Sequence, residues 1–122
     1  MSTSADIEIF VRDCNEHRLV EWMRSRLGIL TGPLSDGATH TYDSPCGPII
    51  VTPAIESGPF TGVWFNTTSS PWKTELDCAR DAARALDCTV RCDPGTSVPG
   101  LSPLASTMLE VTGSAERLVD WT

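Results

Sequence analysis

The stretch DIEIFVR, residues 6 to 12, alternates in a way that few folds can accommodate. In an extended chain Ile7, Ile9 and Val11 share one face, while Glu8, Phe10 and Arg12 share the other. A period of two predicts a strand with one strongly apolar side. Such a side has to be covered by a second layer. Phe10, set against the main apolar series, is a candidate to cover a second face or meet a partner.

The next segment supplies the covering layer. Leu19, Val20, Met23 and Leu27 recur at helical spacing. Asp13 precedes Glu16 by three residues, a capping-box spacing, and Gly28 is placed to terminate the helix. From Thr31 to Gly47 turn formers dominate, with HTY at 40–42 as a short strand. PIIVTP at 48–53 is a strand delimited by two prolines, neither of which can donate to a ladder. TGVWFN at 61–66 is another, with Val63 and Phe65 on one face and Trp64 on the other.

A second helix is expected to follow, with Ser70 as N-cap and Pro71 at the first helical position. Leu76, Ala79, Ala83 and Leu86 line its inner face, and Asp77, Arg80, Asp81 and Arg84 form a solvated outer one. CTVRC at 88–92 is a strand placing Cys88, Val90 and Cys92 on one side. DPGTSVPGLSP is a long connection, and MLEVTG at 108–113 is the last strand. In SAERLVDWT, Ser114 is a possible cap for a short helical turn carrying Leu118, Val119 and Trp121.

The order β-α-β-β-β-α-β-β predicts an α+β fold: a two-layer sandwich with two helices on one face of a mostly antiparallel sheet, a variant of the ferredoxin-like pattern. At 122 residues, with no internal repeat or linker, the chain is expected to form a single domain over 1–122. It is large enough for a core without metal or disulfide support.

Charge narrows the partners. The net charge is −7, and residues 36–70 carry Asp36, Asp43 and Glu56 with no lysine or arginine. An acidic surface repels phosphates and anionic membranes, so nucleic acid and membrane partners are not expected. No run reaches the roughly 20 apolar residues needed to span a bilayer, and no signal peptide is evident. Five cysteines in no secreted-scaffold pattern suggest reduced thiols and a cytoplasmic setting.

Three places invite a chemical reading. Asn66, Thr67, Thr68, Ser69 and Ser70 crowd donors before the second helix, and Lys73, the only lysine, follows. Free N–H groups at a helix start receive anions, so this junction is a candidate ligand site. Structural capping explains the same residues, and neither phosphate-loop glycine pattern is present. Cys46, in DSPCGP, is a candidate reactive cysteine, and a Cys46–His40–Asp43 assembly can be drawn around it. Turn chemistry is the simpler account.

Cys88 and Cys92 would lie about 13 Å apart in a strand, too far to share zinc directly. No metal site and no cofactor are expected, and no catalytic residue is assigned. His17 has Glu21 one turn later, which explains it as half of a surface pair.

What remains is a contact surface. Phe10 and Trp64 point away from the stronger apolar series of their strands, and Asp36, Asp43 and Glu56 supply acidity. This is the physical character of a small acidic protein-binding module, for example a bacterial toxin-neutralising, immunity-like protein that docks sterically and electrostatically on a basic partner. The alternatives are a small enzyme or ligand-binding protein using the 66–73 junction, and a homodimeric accessory protein paired through an open face or edge.

Overall fold

The computed structural model describes residues 6–67, 69–94 and 107–120. Its elements run β1 (Ile7–Arg12), α1 (Glu16–Leu27), β2 (Thr31–Asp36), β3 (Thr39–Ser44), β4 (Gly47–Thr52), a 3₁₀ turn (Ile55–Ser57), β5 (Phe60–Phe65), α2 (Glu75–Leu86), β6 (Val90–Cys92), β7 (Thr107–Val111) and β8 (Glu116–Asp120). All eight strands join one sheet in the order β2-β3-β4-β5-β1-β6-β7-β8, and every pairing is antiparallel. Both helices pack on the same face of this sheet. The fold is therefore an α+β two-layer sandwich.

The alternation in β1 decides which face is covered. Ile7, Ile9 and Val11 are buried, and register places Ile9 between Val63 and Cys92. Val51, Val90 and Leu109 continue this apolar layer across the sheet. Leu19, Trp22, Met23 and Leu27 press on it from α1, and Cys78, Ala79, Ala82, Ala83 and Leu86 from α2. Alanines in α2 let its axis come close to β1 and β6.

The observed order contains two strands that the sequence pattern does not suggest. TGPLSD, residues 31–36, forms β2 although all six residues are exposed. It is an edge strand, where proline is tolerated and neither face has to be apolar. Residues 116–120 form β8, not a helical turn. Thr112 N–H donates to Ala115 O at 2.8 Å, closing a tight turn that returns the chain along β7. Ser114 sits inside that turn and caps nothing. A short apolar run does not distinguish strand from helix by period alone, and pairing with β7 decides it.

Both helix starts also move. Asn15, not Asp13, caps α1, its side chain accepting Arg18 N–H at 2.9 Å. Thr74 caps α2 by accepting Asp77 N–H at 3.1 Å, four residues beyond Ser70. The cause is Trp72. Its ring stacks on Trp22 at 5.4 Å and lies 5.0 Å from Phe65, so the chain dips into the core before the helix begins. Cys88 lies in the turn before β6, not in the strand. The connection expected over 93–103 is described only at Asp93 and Pro94, and Thr68 and Trp121 lie outside the described residues.

Asp81 joins the two helices. Its carboxylate accepts from Arg26 Nε at 2.7 Å and Nη2 at 2.8 Å, and from Trp72 Nε1 at 2.9 Å. Arg26 comes from α1, Asp81 from α2 and Trp72 from the connection. The outer-face residue of the sequence reading is thus a junction of three segments. Trp22 Nε1, buried beside it, makes no well-formed hydrogen bond among the described residues. No helix among the described residues is long and apolar enough to cross a membrane.

Two stability outcomes follow. Ile9→Ala, at a fully buried position, is expected to cost about 2–5 kcal/mol in urea unfolding, against less than about 0.5 kcal/mol for Leu34→Ala on the exposed edge strand. Hydrogen bonding to Arg26 lowers the Asp81 pKa, with Trp72 assisting. A lowered carboxyl pKa contributes stability above its unfolded value, and that contribution is lost as pH falls through the folded value. Asp81→Asn is therefore expected to cost about 1–3 kcal/mol at neutral pH, the gap to wild type closing as pH falls below about 4.

Candidate functional site

With both helices on one side, the other side of the sheet presents a second set of residues. Register aligns Leu34, Thr41, Ile50, Trp64 and Glu8 in one row across β2, β3, β4, β5 and β1. Leu34 is 73% exposed and Trp64 38% exposed, while Thr41 and Ile50 are half-buried. Asp36 and Asp43 project from the same side of β2 and β3. No lysine or arginine occurs between residues 27 and 72, so this half of the face is acidic and apolar with no cation of its own.

The other half is built differently. Arg91, Glu110 and Arg117 stand in register across β6, β7 and β8. Glu110, almost buried, accepts from Arg91 Nε at 3.0 Å and from Arg117 Nε and Nη2 at 3.0 and 2.9 Å. Burial works to raise the Glu110 pKa, but the hydrogen bonds from Arg117 and Arg91 outweigh it and hold the carboxyl low. The Arg91 guanidinium also lies 4.7 Å from the Phe60 ring centroid, with that of Arg12 at 6.0 Å. Paired charges and a half-buried Phe10 make this half a packed surface.

The two halves meet at Gly62, where a Cβ would come within 3.0 Å of Ile55 Cδ1. Glycine here lets the 3₁₀ turn lie down on β5, carrying the exposed Glu56 onto the open side.

The hydroxyl-rich junction is assembled for local purposes. Thr67 Oγ1 donates to Cys46 O and accepts Ser69 N–H at 3.0 Å, and Ser70 Oγ donates to Trp72 O at 3.2 Å. Asn66 N–H donates to Pro48 O at 3.0 Å, continuing the β4–β5 ladder. Gly47, at φ +138°, passes within 3.1–3.2 Å of Thr67 and Asn66 measured from an added Cβ, so the junction packs against the β3–β4 turn. Lys73 precedes α2 instead of lying in its first turn. That turn carries Glu75 and Asp77, which favour the helix dipole but repel an anion.

Cys46, His40 and Asp43 are not brought together. His40 and Asp43 fall on opposite faces of β3, because the side-chain period is two. Glu16 of α1 captures His40 instead, with Nδ1 at 2.9 and 3.0 Å from its two oxygens. Tyr42 donates its hydroxyl to the same carboxylate. Burial first, and then the Glu16 hydrogen bond, pushes the Tyr42 hydroxyl up to about 12. Cys46 is half-buried in the β3–β4 turn, where Ser44 Oγ accepts its N–H at 3.2 Å. His17 and Glu21 form the exposed surface pair that their spacing suggests, at 3.6 Å.

A hollow of about 290 Å³ is lined by Glu8, Phe10, Glu75, Asp93 and Met108. Glu75 reaches into it from the first turn of α2 and accepts Glu8 N–H at 3.3 Å. Burial, aided by the neighbouring Asp93 and Glu8 carboxylates, pushes the Glu75 pKa up to about 7; the N–H groups of Glu8 and Asp93 oppose this. Burial also raises Glu8. Among the described residues, no group of three or more His, Cys, Asp and Glu side chains could hold a metal ion.

The Glu16, Asp81 and Glu110 hubs escape sequence reading because each needs at least one partner 19 to 55 positions away. The only faint signals are that each carboxylate sits in a segment whose partner supplies an arginine or a ring donor. Comparison of the chain with family models, curated proteins and solved structures finds no match.

The raised Glu75 pKa has a definite sign. Its unfolded carboxyl ionises near 4.5 and its folded one near 7, so stability is fully present below about 4.5 and falls as pH rises towards 7. Glu75→Gln is expected to raise the melting temperature at about pH 8 relative to wild type and to lose that advantage at about pH 4. Melting curves of both chains across this range provide the check.

Proposed function

We propose that this chain is an acidic docking module that binds a basic protein surface through the β2–β5 half of its open sheet face. The observation that carries the reading is the row Leu34–Thr41–Ile50–Trp64, bordered by Asp36 and Asp43 and lacking any cation. Trp64 supplies the kind of large, rigid apolar contact from which interface hot spots are built. The carboxylates steer a cationic partner and disfavour acidic ones. A basic toxin held inactive by such docking is one partner that fits this chemistry.

The paired arginines of the β6–β8 half support the same division of labour. Arg91 and Arg117 together outweigh the single charge of Glu110, so that half carries a net positive charge and the acidic field is confined to the β2–β5 end. Binding is therefore expected to weaken with salt, since exposed charges are screened beyond about 8 Å at physiological ionic strength.

The test begins with affinity purification on the immobilised chain at low salt, followed by titration of the purified partner. Trp64→Ala and Asp43→Lys are each expected to weaken binding about tenfold or more, and raising salt from about 50 to about 500 mM to weaken it further. Circular dichroism confirms that both variants fold. Failure to recover any partner, or a partner whose affinity ignores both substitutions, would refute the reading.

A further inference from the structure

Two cysteines that lie 74 positions apart in sequence, Cys14 and Cys88, come together at one end of the sheet. Cys14 sits in the β1–α1 connection and Cys88 in the α2–β6 connection. The β1–β6 ladder extends past its last paired residues, with Arg12 N–H donating to Thr89 O at 2.9 Å. The two connections therefore leave the sheet side by side. Arg18 reinforces this by donating from Nη2 to Leu86 O at 2.5 Å, tying the start of α1 to the end of α2. Here each thiol donates to a backbone carbonyl beside it, Cys14 to Asn15 O at 3.6 Å and Cys88 to Leu86 O at 3.3 Å, and the Cys88 thiol is near enough to raise the Cys14 pKa.

The other cysteines lack this combination of contact and access. Cys78 and Cys92 influence one another across the α2–β6 interface, but both are fully buried. Cys46 lies in the β3–β4 turn. Cys14 is in the core and Cys88 is packed at its edge, partly open to solvent. One thiol is thus reachable from outside, and the second is reachable from the first.

We propose that Cys14 and Cys88 form a reversible dithiol–disulfide pair which, when oxidised, staples the entry of α1 to the exit of α2. The oxidant is a low-molecular-weight disulfide such as glutathione disulfide. The Cys88 thiolate attacks one of its sulfurs, forming a protein–glutathione disulfide and expelling a glutathione thiolate. The Cys14 thiolate then attacks the Cys88 sulfur and expels the second. Two protein thiols are oxidised, one disulfide is reduced to two glutathione thiols, and the protein's two protons pass through solvent to the departing thiolates.

The second step is gated. Burial, and next the Cys88 thiol, push the Cys14 thiol up to about 11, against a smaller opposing effect of Arg18. Only the thiolate attacks, so ring closure should quicken about tenfold per pH unit between about pH 7 and pH 9. The staple encloses residues 15–87, which include both helices and four of the eight strands. Closing so long a loop restrains the unfolded chain most.

The experiment uses the full chain, reduced and then incubated with glutathione disulfide at about pH 8. Alkylation under denaturing conditions and peptide mapping follow. The expected result is a Cys14–Cys88 crosslink, a fall in alkylatable thiols from five to three, reversal by dithiothreitol, and a melting temperature raised by at least about 5 °C. Cys14→Ser should stop at a stable glutathione adduct on Cys88, and Cys88→Ser should give no crosslink. Five alkylatable thiols after treatment, a persistent adduct on wild-type Cys88, or a crosslink between other cysteines would overturn the proposal. Mapping of the wild-type chain decides the question even where a variant does not fold.

Discussion

Burial of one side of β1 is the constraint from which the rest of the architecture follows. Ile7, Ile9 and Val11 sit at the centre of an eight-stranded sheet, and their face is the one both helices cover. A one-residue slip would expose all three and bury Glu8 and Arg12, so the register is strongly held. Once that side is committed, the two helices share a single layer and touch each other. Asp81 of α2 then has partners from two other segments, and Glu16 can reach from α1 to His40 and Tyr42 on β3. These polar ties do not create the layering. They select one arrangement within it, because a buried or half-buried carboxylate left without donors would be costly.

The open face inherits its character from the same alternation. Residues that cannot be in the core gather there, and their chemistry differs along the sheet. On the β6–β8 side Arg91 and Arg117 both pair with Glu110 and leave one positive charge over, and Arg91 together with Arg12 of β1 lies over the Phe60 ring of β5. On the β2–β5 side no cation is available to cancel Asp36 or Asp43, and Leu34 and Trp64 retain exposed apolar surface. An edge strand with six exposed residues extends this second region beyond the area needed to cover the helices. The asymmetry separates an acidic, partly apolar end of the open face from an end threaded by arginines.

The layering was legible because periodicity survives in a single chain. Alternation in β1 and β5, helical spacing in α1 and α2, and the opposite placement of Phe10 and Trp64 all rest on local geometry. The missing pieces depended on contacts. TGPLSD carries no apolar period, and only its pairing with β3 makes it a strand. ERLVD suits a helix or a strand until β7 is beside it. Ser70 and Pro71 have the local chemistry of a helix start, but burial of Trp72 against Trp22 and Phe65 postponed the helix to Thr74. Among the suggested site residues, Asn66, Thr67, Ser69 and Ser70 could be recognised as polar. That their groups are used on neighbouring backbone could not.

Two consequences of the fold act at opposite places. The acidic row lies towards the β2 end of the open face, whereas Cys14 and Cys88 lie where the helix connections leave β1 and β6. Restraining the connections stiffens the helical layer without adding or removing any side chain of the row. A change there can reach the open face through β1, whose alternate residues belong to both sides, and through Glu16, which holds His40 and Tyr42 of β3. The same period of two that assigns Ile9 to the core and Phe10 to the opposite face therefore links the two regions physically: β1 cannot shift to relieve strain on one side without displacing what it presents on the other.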